Sequence, residues 1–205
     1  FTINPRINGW NEASRMASTQ SIVEHHDLSI DQSVFVNTGD KAFIDGHFYS
    51  DKPATPSMLA ALIYLPLYHL GVQLSYGWNL AYYLIIFFVV KGLWILSVLA
   101  FNKVMGLFGL AERQALINTL IFALASQAFT WSSTFNNHSI AASCLIIALA
   151  HFISGRKFKA PNDLLISGFL FGLAAAADLP TGLFLLGFTW LIFRLKISNA
   201  QKWSF

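Results

Sequence analysis

Residues 79–101 read NLAYYLIIFFVVKGLWILSVLAF, a run that carries one charge, Lys91, and no proline. As an α-helix rising 1.5 Å per residue it is about 34 Å long, enough to cross a hydrocarbon core of about 30 Å. Apolar segments recur on either side, at 57–74, 115–135, 139–153, 164–178 and 182–193. The 115–135 run is also long enough to span. The three after it are shorter and need their flanking residues or a thin local bilayer.

Composition points the same way. Of the 205 residues 55% are hydrophobic and 11% charged, against about 25% charged in ordinary soluble domains. A soluble fold of this size could not cover its surface with so few charges, so lipid is the expected solvent. Residues 1–55 hold seven acids and four bases, whereas 56–205 hold three acids and nine bases. The basic excess lies in loops and forms no aromatic-lined basic face, so no nucleic-acid partner is expected. The single cysteine, Cys144, excludes an internal disulfide and a cysteine-only zinc site. Starting at Phe1 and ending at Phe205, the chain is expected to be a fragment of a longer protein.

The turns between the apolar segments alternate in charge. Lys103 and Arg113, then Arg156, Lys157 and Lys159, then Arg194, Lys196 and Lys202 mark every second loop. The turns between them, at 75–79, 136–138 and 178–181, carry no Lys or Arg. The positive-inside rule places 102–114, 154–163 and 194–202 in the cytoplasm. If 57–74 spanned, the acidic 1–55 region would also be cytoplasmic. The segment is therefore expected to lie in the outer interface as a helix broken at Pro66 and Gly71, with 1–55 outside as an extracytoplasmic loop. That loop reads as an amphipathic helix from Asn11, a turn region from Asp27 to Asp31, and a hairpin closing near Asp45-Gly46. The expected fold class is all-α: a polytopic transmembrane bundle, with 1–55 as one domain and 56–205 as the membrane domain.

Polar groups at the outer rim are the candidate site residues, each set beside a plainer role. Glu12 and Arg15 share a helix face and could be no more than a surface ion pair. Asp51-Lys52-Pro53 forms a stiff extended entry to the next helix; Lys52 suits an anionic ligand and Asp51 a hydroxyl, or the three only punctuate the chain. Asn136, Asn137 and His138 make a polar turn. Asp178 before Pro180 suits an N-cap. Lys91 is expected to point into the bundle toward an acid or a lipid phosphate. His25, His26 and His47 lack the spacing of a metal site, and no glycine-rich nucleotide loop or hydrolase elbow is present.

The run Asn11-Glu12-Ala13-Ser14-Arg15, followed by Tyr49-Ser50-Asp51-Lys52-Pro53-Ala54-Thr55-Pro56 and an apolar segment, resembles the membrane glycosyltransferases of the GT-C fold. The similarity is to the bacterial branch of aminoarabinose transferases and protein O-mannosyltransferases. It covers roughly residues 8–75 by motif and the rest by helix rhythm. The resemblance implies an inner-membrane enzyme that moves a sugar from a polyprenyl-phosphate donor, with inversion, to a lipid, glycan or protein acceptor at the outer face. Carried over by position, the family's Asp-Glu pair falls on Asn11 and Glu12, and its acidic-Lys-Pro-Pro element on Asp51, Lys52 and Pro53, with Ala54 for the second proline. Glu12 and Asp51 are then the catalytic carboxylates. Asn11, Arg15 and Lys52 face the substrate, and Asn137, His138 and Asp178 join them by topology. An amide at Asn11 cannot take a proton, which leaves Glu12 as base, or a variant or inactive branch. The implied partners are membrane lipid and the lipid-linked sugar, with a divalent metal left open. A transporter using Lys91, or a noncatalytic scaffold, are the competing classes.

Overall fold

A computed structural model describes residues 3–194. The protein is mostly helical, with one two-stranded sheet. It divides into two units. One comprises the residues up to Gly92 together with Trp131–Asn137; the other comprises Leu93–Thr130 and the residues from His138 onward.

In the first unit, helix α1 (Trp10–Gln20) continues as a π-helical turn, Ser21–His25, and stops where His26 turns left-handed at φ 54°. Ala13, Met16, Ala17 and Gln20 are buried, the i, i+3, i+4, i+7 spacing of one helical face. Strands β1 (Lys41–Ile44) and β2 (His47–Ser50) pair antiparallel with Lys41 opposite Ser50. Both turn residues, Asp45 and Gly46, have positive φ, as a two-residue hairpin whose twist matches its strands requires. The preceding loop is tied to the rest by side chains. Gln20 Oε1 accepts from Ser33 Oγ and the Val34 amide, and Asp31 accepts from the Phe48 amide.

Helix α2 (Ala54–His69) packs on α1. Pro66 lies within its last turn without ending it, and the chain leaves at Leu70 and the left-handed Gly71. At 16 residues, α2 is about 24 Å long, shorter than the hydrocarbon core. The decisive run folds as one helix, Leu80–Leu107, of 28 residues. Its first part, α3 (Leu80–Ile85), passes through a π-helical stretch, Ile86–Lys91, into α4 (Gly92–Leu107).

The 115–135 run, most of which belongs to the second unit, is not one helix. It forms α5 (Glu112–Ala125) and the short α6 (Gln127–Trp131), separated by Ser126 in extended conformation. The Ser126 hydroxyl bonds back to the Phe122 carbonyl at 2.6 Å, and such a local bond competes with helix continuation. The 14 residues of α5 reach about 21 Å, so the expected single span is replaced by two pieces, neither of which crosses the bilayer alone.

Helices α7 (Asn137–Phe158) and α8 (Pro161–Ala177) follow, then a 3₁₀ turn, Leu179–Thr181, and α9 (Gly182–Arg194). Phe152, Leu164 and Phe171 are buried together, with Phe188 of α9 against them. A side chain at Gly155 would meet Leu164 at 2.9 Å, so glycine allows α7 its close approach to α8. Lys196 and Lys202 of the third basic loop lie outside the described residues.

Among the described residues two helices, Leu80–Leu107 and Asn137–Phe158, are long and apolar enough to cross a membrane. Ile95 and Leu99 on the first of these, and Ile121, Leu124, Leu186 and Trp190 on other helices, are exposed, a density of uncovered apolar side chains that water penalises and lipid does not.

Candidate functional site

Helix α1 begins after an extended Gly9 that brings no side-chain cap. Glu12, in the first turn, supplies one instead: its Oε2 accepts the Asn8 amide at 2.9 Å. A carboxylate there also meets the positive end of the helix dipole. Arg15, one turn on, is 1% exposed and so is not the surface partner its spacing predicts. Its guanidinium donates to the Asn11 side chain, to the Asn11 carbonyl at 3.2 Å and to Asn137 Oδ1 at 2.6 Å. Asn11, Arg15 and Asn137, three of the residues picked from sequence, thus form one hydrogen-bonded cluster. The Arg15 carbonyl accepts from Thr19 and Ser57, which fastens the same turn of α1 to the start of α2.

The second motif meets the first through hydroxyls. Ser14 Oγ and Ser50 Oγ are 2.6 Å apart, and Ser50 Oγ also accepts the Lys52 amide at 3.2 Å. Lys52 Nζ stands 3.0 Å from Asp40 and 3.2 Å from Asp51. Burial disfavours its charge, but the hydrogen bonds to Asp40 and Asp51 outweigh this and hold its pKa above the ordinary lysine value. The Lys52 side chain is 19% exposed and that of Asp51 41%, so both are within reach of a solute. Asp51 is exposed and paired with its own neighbour.

Tyr82, fully buried on α3, brings its hydroxyl near the Glu12 carboxylate and the Phe135 backbone without a hydrogen bond of normal geometry. At the amino end of α1 a cavity of about 210 Å³ is lined by Asn8, Trp10, Ala13, Asn37, Thr38 and Tyr76, among others.

His138 and Asp178 belong to the second unit. His138 Nδ1 and Asp178 Oδ2 are 2.8 Å apart, with the histidine side chain 77% exposed and the aspartate 15%. The Asp178 side chain makes no capping bond to the following turn, and its Oδ2 is engaged by the His138 imidazole. Lys91, expected to face an acid or a phosphate, donates to Ser132 Oγ at 2.8 Å and Ser133 Oγ at 3.3 Å. Among the described residues no three His, Cys, Asp or Glu side chains gather as a metal site.

Several of these residues were not legible from sequence. Asp40 read only as the edge of a turn, and nothing in its spacing pairs it with Lys52. Ser14, Ser50, Ser132 and Ser133 lie in ordinary positions for small polar residues. Tyr82 carried a signal, a phenol early in an apolar helix, but the same signal describes an interface anchor. Compared with protein-family models, characterised proteins and solved structures, the chain matches none.

Proposed function

We propose that the chain belongs to a membrane glycosyltransferase that uses a polyprenyl-phosphate sugar at the outer face of a bacterial inner membrane. The observation that carries this reading is the Ser14 to Ser50 hydrogen bond, which sets the Glu12 helix against the Asp51-Lys52 strand end. The two motif runs of the resemblance are neighbours despite the 36 positions between those serines. In the proposed reaction Glu12 takes the acceptor's hydroxyl proton as its oxygen bonds to the anomeric carbon. The bond from that carbon to the lipid phosphate breaks with inversion, and the phosphate leaves with both electrons. Lys52 stabilises it by exchanging a carboxylate partner for a phosphate oxygen. Arg15, committed to Asn11 and Asn137, positions the helix.

The test is consumption of a polyprenyl-phosphate sugar by the full-length protein. Glu12→Gln is expected to cut turnover by about 10²–10⁴-fold, and unchanged turnover would overturn the assignment. Labelling of Phe43→Cys, an exposed hairpin position, by an impermeant reagent on intact cells tests the orientation. Reaction only after permeabilisation would place the loop in the cytoplasm and end the reading. A transport role is the second reading, favoured by the buried Lys91 that the Ser132 and Ser133 hydroxyls hold inside a membrane-length helix.

A further inference from the structure

In the second unit a cleft of about 430 Å³ opens between α7 and its neighbours, walled by Phe108, Leu149, Phe152 and Phe188, with Arg156 and Lys157 at its edge. Its walls are almost wholly apolar, while its rim carries two exposed cations. The Arg156 guanidinium lies 6.0 Å from the centre of the Phe152 ring, so one cation stands directly beside the aromatic wall. Among the described residues neither cation is in an ion pair or a side-chain hydrogen bond. Asp163, the acid on the adjoining helix, is held by His151 at 2.7 Å.

We infer that this cleft binds a single anionic phospholipid, its acyl chain against the phenylalanines and its phosphate on Arg156 and Lys157. Water in such a cleft would wet apolar walls at a cost. An apolar helix of a partner would cover the walls and leave both cations without counter-charge. A free phosphate would satisfy the cations and leave the walls bare. A phosphodiester on an acyl chain answers both halves, and the flat guanidinium fork suits its paired oxygens. Two of its helices are long and apolar enough to lie where such molecules are the solvent. Sugar transfer plays no part in this site.

The full chain, delipidated in detergent, would be offered phosphatidylglycerol or phosphatidylcholine of identical acyl chains and read by native mass spectrometry. The expected result is one retained phosphatidylglycerol per chain, with a preference of about tenfold over phosphatidylcholine. Arg156→Gln with Lys157→Gln, both at exposed positions, should abolish the preference. Leu149→Trp, which fills the cleft, should reduce retention of both lipids. Equal retention of the two lipids by the unaltered chain, or a preference that survives the double substitution, would overturn the site. Displacement of the lipid by an equal concentration of inorganic phosphate would reduce it to an anion site without an acyl subsite, which also overturns it.

Discussion

The Ser14 and Ser50 hydroxyls share a hydrogen bond of 2.6 Å, the direct polar link between the first helix and the end of the hairpin. Either single alanine substitution leaves a partly buried hydroxyl without this partner, whereas the double substitution removes both groups. A double-mutant cycle of Ser14→Ala and Ser50→Ala is expected to return a coupling of about 1 kcal/mol in unfolding measurements. Strict additivity would mean that the two hydroxyls do not bond in solution.

Among the described residues Arg15 is the largest fully buried side chain, and it donates to the side-chain oxygens of Asn11 and Asn137. Arg15→Met removes the donors that Asn11 and Asn137 use and should cost about 2–4 kcal/mol. Arg15→Lys should recover only part of this, since an ammonium lacks the planar fork that reaches both amides. Thermal unfolding in detergent measures the difference, and a methionine variant as stable as the parent would contradict the cluster.

Asp31 accepts the Phe48 amide at 2.8 Å and sits 2.7 Å from His47 Nδ1. The bond from Phe48, then that from His47, holds its carboxyl below the usual 3.8. A carboxyl with a depressed folded pKa contributes stability that is whole above the unfolded value and lost as the pH falls through the folded one. Protection of the Phe48 amide from hydrogen exchange should therefore be constant down to about pH 4 and decline below it. In Asp31→Ala the protection should be lower at neutral pH and show no acid step. An acid step that persists in that variant would assign it to another group.

Tyr64, buried in α2, donates its hydroxyl hydrogen to Glu24 and accepts the Leu74 amide at 2.9 Å. Burial and the Glu24 bond raise its pKa above the ordinary tyrosine range. Tyr64→Phe removes the acceptor from a buried amide and should destabilise the unit by about 1–3 kcal/mol. Exchange of the Leu74 amide should accelerate with it, and an unchanged rate would show that the amide has another acceptor.

Local features were the readable ones. The Asp45-Gly46 hairpin follows from turn chemistry confined to two residues, and α1 from the amphipathic run that opens at Asn11. The long helix through Lys91 follows from length and apolarity alone. The break at Ser126 was marked by two polar residues, Ser126 and Gln127, inside an apolar run, yet nothing local distinguishes a serine that bends a helix from one carried within it. His138 and Asp178 were each singled out, while their pairing across 40 positions is visible in neither local run.

By itself the sequence determined that long apolar helices alternate with polar turns, because helical rise and hydrophobic burial depend on residues within a few positions of one another. Only the tertiary structure decided that Arg15 lies buried against Asn137, that Lys52 answers to Asp40 as well as Asp51, and that Ser14 meets Ser50. Those partners stand 122, 12 and 36 positions apart. A hydrogen bond or ion pair acts over about 3 Å, so which polar groups satisfy one another depends on where packing leaves them.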